Sequence, residues 1–542
     1  MLLTLMLMSM LPGPAAASGS AAASASCPPT GPMPAGDLDA RLLPWDSLRR
    51  LCLMAGLQPP ADQPLSRREL AALLDAIAAA GVELSATDAF AARRGDAESV
   101  LLTGGRLVAG YTDRGRLQPD QAGLAWAPGW NFAAEAGAQT ARGPWWAAVT
   151  LRVRAHPGWG AGPMPVVGDE PSPLDRPGWD PATGPAQQRH AQRLGEGTDL
   201  DLVRAVVGRE AGGWSLALGW DPRRHGPGLG EALLVDRQAP PFAALTVRRT
   251  RPWCWPGLLR PLGPQSLLAR VGRLSERPVG SARASTGARP DHPWFFQWLV
   301  RWRLTDWARL GFTHVALAAP RSGTLWPDVL RINFPPPGVT WDEADAGPYT
   351  DRLFAAQLEL RWRDAPWRWL PAAGGRAWWE YAGEDFLPRG PWGLLPEIAA
   401  PASVAGVELV GPRWDLAVEY AETLHPLVLW YSNSSFPSGY EHEGWLLGSA
   451  LGGAAERISG LVRWRGGDAL EVELGLARTE WGAEGHAPGL ARERNVWLAV
   501  APLGGGVPGP WRARLDWRRS EELASEVSGR RRWWSFSVSR DF

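Results

Sequence analysis

The chain has 542 residues, with 56 basic and 56 acidic side chains, so its formal net charge is zero. This balance excludes a bulk electrostatic attraction to nucleic acid or to an anionic membrane surface. All the basic residues are arginine, and 33 tryptophans outnumber 12 phenylalanines and 6 tyrosines. Tryptophan is typical of membrane–water interfaces and also stacks on sugar rings, so its abundance is compatible with either environment.

Residues 1–26 are predicted to be a secretory signal peptide. An apolar stretch over Met1–Leu11 precedes small residues, and Ala23-Ser24-Ala25 has the small-x-small form of a cleavage site. Cys27 lies in a sequence that matches a lipidation site only weakly. Three cysteines are too few for a disulfide framework. Two alternatives stay open, a pairing of Cys27 with Cys52 or unpaired thiols.

Residues 37–98 are predicted to form a small periplasmic helical bundle. Asp46 or Ser47 would cap a first helix with an apolar stripe. Ser66-Arg67-Arg68-Glu69 is a capping box for a second helix. A short third helix is expected over Thr87–Arg93. Such short helices bury little surface alone, so we expect them to pack against the mouth of a partner domain.

Residues 99–542 are predicted to contain only strands and turns, with a pattern that alternates apolar and charged side chains. In Trp511-Arg512-Ala513-Arg514-Leu515-Asp516-Trp517-Arg518, one face is apolar and the other is ionised, because successive side chains on a strand point to opposite faces. This arrangement is typical of a transmembrane β-barrel, with apolar residues toward lipid and charged residues in a wet lumen. At roughly 24 residues per strand and turn, the segment predicts an all-β transmembrane barrel of about 18 antiparallel strands.

The ionised faces of these strands predict a lumen lined by arginine and acidic residues. One alternative is a basic lumen. The other, which we favour, is that cross-strand ion pairs close the interior, because a net charge of zero permits complete pairing. The inward arginines are Arg152, Arg154, Arg301, Arg303, Arg361, Arg363, Arg512 and Arg514, and the expected partners are Glu359, Asp364, Glu471, Glu473 and Asp516.

Stretches rich in Gly, Pro and Asp mark the turns and loops between the predicted strands. The stretch 156–198 is too long for a tight turn, so it is either a long outer loop or a segment folded into the lumen. The other breaks fall at 221–230, 276–293, 335–350, 371–376, 387–396, 433–443 and 502–510.

Several segments, in order along the chain, resemble the Wzi family of capsule-assembly outer-membrane proteins. Arg224-His225-Gly226-Pro227-Gly228 is similar to the family's W-G-P-G turn, with His225 in the place of Trp. Glu380-Tyr381-Ala382-Gly383-Glu384-Asp385 is similar to an E-Y-x-G-E-D strand end, and Tyr440-Glu441-His442 to a Y-x-H element. The last strand, which ends in Phe542, resembles the C-terminal signal of outer-membrane barrels.

The resemblance covers roughly residues 37–542 and implies an 18-stranded barrel with a periplasmic helical bundle. It implies a lectin, and not an enzyme, that holds capsular or related polysaccharide at the outer leaflet. The departures from the motifs leave the glycan open.

Glu380, Glu384 and Asp385 form the densest acidic cluster in a motif. Their carboxylates would either pair with lumen arginines or accept hydrogen bonds from sugar hydroxyls. A glycosidase needs two carboxylates that face one bond, and nothing in the sequence fixes such facing. Tryptophans in loops are further candidates for glycan contact, namely Trp159, Trp326, Trp341 and Trp392.

No catalytic residue, metal site or cofactor is predicted. The histidines lack metal-ligand spacing, and the chain has no G-x-S-x-G nucleophile motif. We assign structural roles to the turn at 224–228 and to Tyr440, His442 and Phe542.

The sequence therefore predicts a monomeric multi-pass barrel in the outer membrane of a diderm bacterium, which anchors or organises polysaccharide. The alternatives are a diffusion porin and, as a third class, a barrel enzyme that acts on lipid or glycan. Expected partners are capsular or exopolysaccharide, outer-membrane lipid and lipopolysaccharide, the barrel-insertion machinery and a polysaccharide export complex, but no nucleic acid.

Overall fold

A computed structural model shows the chain as one closed antiparallel β-barrel of 18 strands, with two helices at one mouth. This confirms the predicted fold class. The structure describes residues 45–57, 59–60, 62–63, 67–82, 101–112, 116–117, 125–126, 129–156, 197–251, 253–254, 264–275, 292–319, 349–363, 372–384, 386–389, 395–398, 400–423, 430–431, 440–442, 445–449, 451–453, 455–466, 470–481, 491–502, 511–522 and 530–541.

The barrel strands follow chain order, each pairs with the next, and the last pairs with the first. Closure leaves the sheet without an edge, so the backbone groups within the wall pair with each other. Strands β1 to β18 are Leu101–Thr112, Gly129–Arg142, Trp145–His156, Gly197–Ala211, Trp214–Trp220, Ala243–Arg249, Pro264–Arg273, Trp294–Arg303, Ala308–Ala319, Tyr349–Arg363, Gly374–Glu384, Pro401–Val410, Trp414–Glu422, Ala455–Gly466, Leu470–Trp481, Ala491–Pro502, Trp511–Glu522 and Arg530–Asp541.

Short two-stranded pairings supplement the barrel. Three are small hairpins in the connections between strands, one extends β7, and one joins the N-terminal segment to the connection after β5. The pairs are Arg116–Leu117 with Ala125–Trp126, Phe386–Arg389 with Leu395–Ile398, Glu441–His442 with Trp445–Leu446, Trp253–Cys254 with the start of β7, and Asp62–Gln63 with Arg224–His225.

The two ends of the barrel differ in the length of their connections. At one end, neighbouring strands are joined by short turns such as 143–144, 212–213 and 411–413. Gly212 and Gly213 have φ of 58° and 81°, the positive values that a two-residue hairpin of this kind requires. The opposite ends of the strands flank longer connections, including 157–196 and 320–348. Transmembrane barrels turn their short connections to the periplasm, so the long-loop end is the outer end.

One predicted break was wrong in position. The stretch 371–376 was expected to be a turn, but β11 already begins at Gly374, which pairs with Arg363 of β10. Two glycines in succession indicate a turn, yet Gly375 lies beneath the ring of Trp362, where a Cβ atom would collide with it. Close packing of a ring against the backbone, and not a turn, explains this glycine.

Alternate side chains of the strands point outward and inward as predicted. In β17 the side chain of Leu515 is 48% exposed on the outer surface, while Asp516 is 4% exposed in the lumen. In β3, Leu151 and Val153 are exposed outward and Arg152 is buried inward. The apolar face of each strand therefore forms the outer wall, and the ionised face lines the interior.

Two helices, α1 (Trp45–Met54) and α2 (Arg67–Ala79), confirm the first two predicted helices. Helix α1 begins at Trp45, so Asp46 and Ser47 lie in its first turn and not at its cap, and Ser66 lies outside the described residues. Leu48 and Leu51 of α1 share a small core with Leu70 and Ile77 of α2. The third helix expected over Thr87–Arg93 lies outside the described residues. No helix in the described part of the chain is long and apolar enough to cross a membrane.

Cys52 is a free thiol in the core between the two helices. Burial raises the pKa of this thiol to about 12, so it remains protonated at neutral pH. Cys27 lies outside the described residues, so the choice between a Cys27–Cys52 pair and unpaired thiols stays a prediction.

A substitution at Leu515 tests whether the outer face of the barrel wall lies in lipid. Leu515→Arg would place a guanidinium in the hydrocarbon layer, and we expect it to lower the free energy of unfolding in lipid vesicles by about 2–4 kcal/mol. The measurement is urea unfolding followed by circular dichroism. The control is Leu304→Arg, at an exposed leucine beyond the end of β8, which we expect to change that free energy by less than about 0.5 kcal/mol. Equal effects at both positions would contradict a lipid-facing Leu515.

Candidate functional site

Two connections from the outer end fold into the lumen. Inner loop 1 is residues 221–242, between β5 and β6, and inner loop 2 comprises the described residues 430–453, between β13 and β14. Their apolar residues pack together and against inward side chains of the wall, such as Phe295 and Val315, in one core. The loop residues in this core are Leu233, Leu234, Val235, Ala239, Phe242, Trp430, Tyr431, Tyr440, Leu447 and Leu451.

Carboxylates on the barrel wall hold the backbone of inner loop 1. Glu419 of β13 accepts hydrogen bonds from the backbone N–H groups of Leu229 and Gly230, the second at 2.9 Å. Glu380 of β11 accepts one from the N–H of Leu233 at 3.3 Å and another from the Gln357 amide at 3.0 Å. A buried loop has no strand partner for these N–H groups, so side chains must supply the acceptors.

The conformation of the turn at 224–228 depends on hydrogen bonds from two arginines and on a glycine where no side chain would fit. The guanidinium of Arg224 donates to the carbonyl oxygens of Leu229 and Gly228, at 3.2 and 3.1 Å. Arg376 of β11 donates to the carbonyl oxygen of Pro227 at 2.9 Å. A Cβ atom at Gly228 would collide with the carbonyl oxygen of Glu231. The structural role predicted for this motif therefore has a physical basis in the fit of the loop inside the barrel.

Inner loop 2 is tied to inner loop 1 by two phenols. The hydroxyls of Tyr431 and Tyr440 donate to the carbonyl oxygens of Leu233 and Leu234, both at 2.6 Å. Burial raises the pKa of both tyrosines well above the usual value, so both phenols remain protonated donors. Glu384 at the outer end of β11 accepts a hydrogen bond from the backbone N–H of Tyr431.

Glu231 links the two loops to the wall. Its carboxylate forms an ion pair with Arg457 of β14 at 2.8 Å and accepts a hydrogen bond from the Ser449 hydroxyl. The amide of Gln238 donates to the carbonyl oxygen of Gly448 at 2.6 Å. These contacts make the two loops one unit, which we call the outer plug.

His442 serves the same unit. Its Nδ1 accepts a hydrogen bond from the backbone N–H of Ser275 at 3.0 Å, and its ring lies 5.5 Å from that of Phe242. Phe242 in turn lies under the guanidinium of Arg270, 4.2 Å from its ring centre. His442 is thus buried and packed against the outer plug.

A second filling element enters from the short-turn end. Helix α1 docks on the wall through Arg49, which pairs with Glu408 of β12 at 2.8 Å, and Asp46, which pairs with Arg463 of β14 at 2.7 Å. Between the helices, Asp62 and Gln63 pair in antiparallel register with the turn of inner loop 1 at 224–225. The N-terminal segment and the outer plug therefore meet inside the barrel through backbone hydrogen bonds.

The wall around α1 carries a chain of buried ion pairs. Arg376 pairs with Glu408 at 2.9 Å and with Glu359 at 3.4 Å, and Glu359 also pairs with Arg309 at 2.8 Å. Such charges are stable only when paired, because an isolated ion in a low-dielectric interior is strongly unfavourable. Further pairs join Arg463 to Glu473, Arg465 to Glu471 and Asp415, Arg512 to Glu473, Arg514 to Asp516, and Arg152 to Glu135 and Asp201.

The prediction of a lumen closed by ion pairs is confirmed for Glu359, Glu471, Glu473 and Asp516. The arginine partners of Glu359 and Glu471 differ from those expected, since Glu359 pairs with Arg309 and Arg376, and Glu471 with Arg463 and Arg465. Asp364 lies outside the described residues.

The predicted glycan residues fall into two groups. Glu380 and Glu384 lie beneath the outer plug, and Glu380 has no exposed surface. The other candidates, Asp385, Trp159, Trp326, Trp341 and Trp392, lie outside the described residues, as does Phe542. The strands that flank the connections holding these tryptophans end at the outer end of the barrel.

Sequence reasoning missed three residues that fix the plug, namely Glu231, Glu419 and Tyr431. Alternation could place Glu419 on the inward face of β13. Its partners, however, are 189 and 190 residues away in an irregular loop, and no local pattern specifies such a contact. In the described residues, no group of three or more His, Cys, Asp or Glu side chains could hold a metal ion.

Comparison with known proteins identifies the family to which this barrel belongs. The family model for the capsule assembly protein Wzi matches residues 122–539. The chain belongs to the Wzi family. Its barrel is therefore an outer-membrane barrel, as predicted, and the plug residues described above belong to a Wzi-family lumen. No curated protein sequence matches the chain.

The solved structure of Wzi from Escherichia coli is described as an outer membrane protein involved in group 1 capsule assembly and a carbohydrate-binding β-barrel. It shares 14% identity with this chain, covers 93% of it and 99% of its own length, and has a TM-score of 0.59. OccAB2 from Acinetobacter baumannii shares 10% identity at a TM-score of 0.44, with 81% and 97% coverage. OpdK from Pseudomonas aeruginosa, solved with vanillate, shares 11% identity at a TM-score of 0.45, with 81% and 98% coverage.

Glu419 is the residue whose loss should open the plug. Glu419→Ala removes the acceptor of two partly buried N–H groups, at a cost of about 0.5–1.5 kcal/mol each, so inner loop 1 should be held less firmly on the wall. We expect the variant to show higher conductance than the wild type in planar bilayers. The control is Glu422→Ala on the same strand, which removes an outward carboxylate bound by Tyr420 and should leave conductance unchanged. A closed Glu419→Ala barrel would refute this role.

Asp46 should control the docking of α1. Burial acts to raise the pKa of Asp46, but the guanidinium groups of Arg463, Arg49 and Arg512 outweigh it and hold this pKa well below the usual range. A depressed pKa stabilises the docked state at every pH above the ordinary carboxyl value, about 4, and this stabilisation is lost only as the pH falls below it.

Asp46→Asn should therefore weaken docking at pH 7, because it removes the charge that Arg463 faces. The measurement is hydrogen–deuterium exchange of residues 45–54, which we expect to be faster in the variant. The control is Asp75→Asn on the exposed face of α2, where exchange in α1 should not change. Identical exchange in the Asp46 variant and the wild type would contradict this assignment.

Proposed function

We propose that this Wzi-family barrel anchors or organises capsular or related extracellular polysaccharide at the cell surface, as a binding protein and not as an enzyme. The observation that carries the proposal is the outer plug, whose two loops share one apolar core with the wall. A plug held by hydrogen bonds to Glu380, Glu384 and Glu419 forms a rigid base at the outer end. A rigid base orders neighbouring loops for recognition, and the family is that of the capsule assembly protein Wzi.

The plug favours a binding protein over a diffusion porin. A porin of this strand number needs a water-filled channel. Here the described lumen holds α1 at one mouth and the outer plug toward the other, and the two are joined by the pairing of 62–63 with 224–225. The contacts that fill the lumen are buried and extensively hydrogen-bonded, so they support a closed state.

The same contacts disfavour hydrolysis by the predicted carboxylates. Glu380 and Glu384 each accept a hydrogen bond from the plug backbone, so both are engaged in holding the loops. We propose that they act on the glycan indirectly, by positioning the outer plug. We place direct contact on Asp385 and on the outer connections that contain Trp159, Trp326, Trp341 and Trp392. Tryptophan rings there would stack on sugar faces.

The remaining assignments are part of the proposal. Residues 1–26 are the signal peptide, 37–98 the periplasmic bundle and 99–542 the barrel. The last strand, with Phe542, is the element that the barrel-insertion machinery recognises. The helices at the periplasmic mouth are the surface available to a polysaccharide export complex, and the barrel works as a monomer within outer-membrane lipid.

The test is retention of polysaccharide by cells. A strain without the gene should release surface polysaccharide into the medium, and the wild-type gene should restore retention. A variant with all four outer tryptophans changed to alanine should insert normally but restore less than about half of the retention, because stacking is worth about 1–3 kcal/mol per ring in related recognition. The matched control is Trp307→Ala, at an exposed tryptophan in a short periplasmic turn. Equal retention with and without the gene would defeat the anchoring proposal.

A further inference from the structure

A row of arginines crosses the outer surface of the barrel near the outer end. On neighbouring strands β15, β16 and β17, Arg478 pairs in register with Arg494, and Arg494 with Arg519. The register continues to Arg532 on β18. We call Arg478, Arg494 and Arg519 the arginine row.

The arginine row faces outward. The residues two positions from the row in the direction of the short-turn end, Leu476, Val496 and Trp517, share its face of the sheet. Leu476 and Trp517 are exposed on the lipid side, at 55% and 43%. The row therefore lies on the same surface as the apolar belt, one step closer to the outer end.

Like charges in direct register destabilise a sheet, because their side chains lie about 5 Å apart. The row has little internal compensation. Glu480 forms ion pairs with Arg478 and with Arg492, the second at 2.5 Å. Among the described side chains it is the one carboxylate that pairs with the outward arginines of β15 to β17. In the described part of the chain, no carboxylate forms an ion pair with Arg494 or Arg519.

The next row outward shows what a compensated row looks like. There Glu480, Arg492, Glu521 and Arg530 follow one another in register, so acidic and basic residues alternate across the four strands. On its other side the same row continues with Glu456 of β14, in register with Glu480, and with Glu422 of β13, in register with Glu456, and both accept hydrogen bonds from Tyr420. Within β15 to β17 the arginine row lacks such alternation, so an anion from outside the chain would reduce the repulsion between its guanidinium groups.

The apolar residues below the row fix its depth in the membrane. Trp517 pairs in register with Trp534 of β18, and both are exposed outward. Tryptophans in such positions form the aromatic girdle at the level of the lipid headgroups. The arginine row, one step beyond, therefore lies at the level of the headgroup phosphates of the outer leaflet.

We propose that the arginine row binds the phosphate groups of a phosphorylated lipid of the outer leaflet. Guanidinium groups bind phosphate through paired hydrogen bonds, and three of them in one row match a headgroup with more than one phosphate. The lipid supplies the negative charge that the sheet itself lacks, and its acyl chains lie along the apolar belt below. This inference rests on the outer-membrane location and is independent of glycan binding at the plug.

The chain offers a matched control at the other end of the wall. Arg142, Arg209 and Arg249 also lie at the outward positions of their strands, close to the short turns. There the register partners are tryptophans, and the guanidinium groups of Arg209 and Arg249 lie over the rings of Trp145 and Trp214, at 5.3 and 5.0 Å. Arg209 and Arg249 have cation–π partners, and all three arginines lie next to tryptophans and not in register with other arginines, so this set should not need a lipid phosphate.

The test compares two lipids and three proteins. The probes are diphosphorylated lipid A and the same lipid after enzymatic removal of both phosphates, each added to the purified full chain in neutral detergent micelles. The proteins are the wild type, a row variant with Arg478→Gln, Arg494→Gln and Arg519→Gln, and a control variant with Arg142→Gln, Arg209→Gln and Arg249→Gln. Native mass spectrometry gives the dissociation constants, and circular dichroism gives the midpoint of thermal unfolding.

We expect the wild type and the control variant to bind the phosphorylated lipid at least about tenfold more tightly than the dephosphorylated lipid. The row variant should lose this preference. Without lipid, the row variant should unfold at a higher temperature than the wild type, because the repulsion within the row is gone. If the row variant does not fold, Arg494→Gln alone should lower the preference by at least about threefold.

Three results would overturn the proposal. One is equal affinity of the wild type for both lipids. Another is a row variant that keeps the full preference. The third is equal stabilisation by millimolar inorganic phosphate alone, which would indicate a site for free phosphate and not for a lipid. Because polysaccharide retention is measured separately, failure here leaves the anchoring proposal untouched.

Discussion

The width of the barrel is the constraint on which the rest of this structure depends. Eight strands enclose a space that side chains fill, but 18 strands enclose one that they do not. A closed lumen therefore needs additional chain inside it. Here two connections fold inward from the outer end and a helix docks at the periplasmic end. Each added segment brings backbone groups that need partners away from bulk water.

The wall meets that need with its ionised face. Carboxylates such as Glu380 and Glu419 accept hydrogen bonds from loop N–H groups, and Arg376 donates to a loop carbonyl oxygen. The remaining charges pair with each other around α1. In the alternating strands, the apolar residues therefore face lipid on the outside, and the charged residues bind the segments that fill the lumen. A lumen filled with water would need far fewer directed contacts.

Some of this follows from sequence and some does not. The barrel, its approximate strand number and the two helices are local properties, set by the alternation of side chains and by apolar stripes such as Leu48 and Leu51. The plug is not a local property, since Glu419 is 190 and 189 residues away in sequence from its loop partners Leu229 and Gly230. The predicted roles of Glu380 and Glu384 show the same limit. Alternation places them inward, but only the folded chain shows that a loop backbone occupies their oxygens.

The arginine row illustrates a further limit of pattern analysis. In each strand taken alone, Arg478, Arg494 and Arg519 are ordinary charges near a strand end. Their significance depends on register, because a shift by one residue would turn them into the lumen. Register across three strands is set by turns and by the closed cylinder, and no single segment of sequence contains it.

The docking of α1 has a consequence for how this protein is made. Arg49 and Glu408 are 359 residues apart, and Asp46 and Arg463 are 417 apart. Although α1 emerges early during synthesis, it has no docking partners until most of the chain has followed. Contacts of such long range form slowly, and the amphipathic helix pair stays exposed in the meantime. The docking of α1 on the barrel therefore has to wait until β12 and β14 are in place.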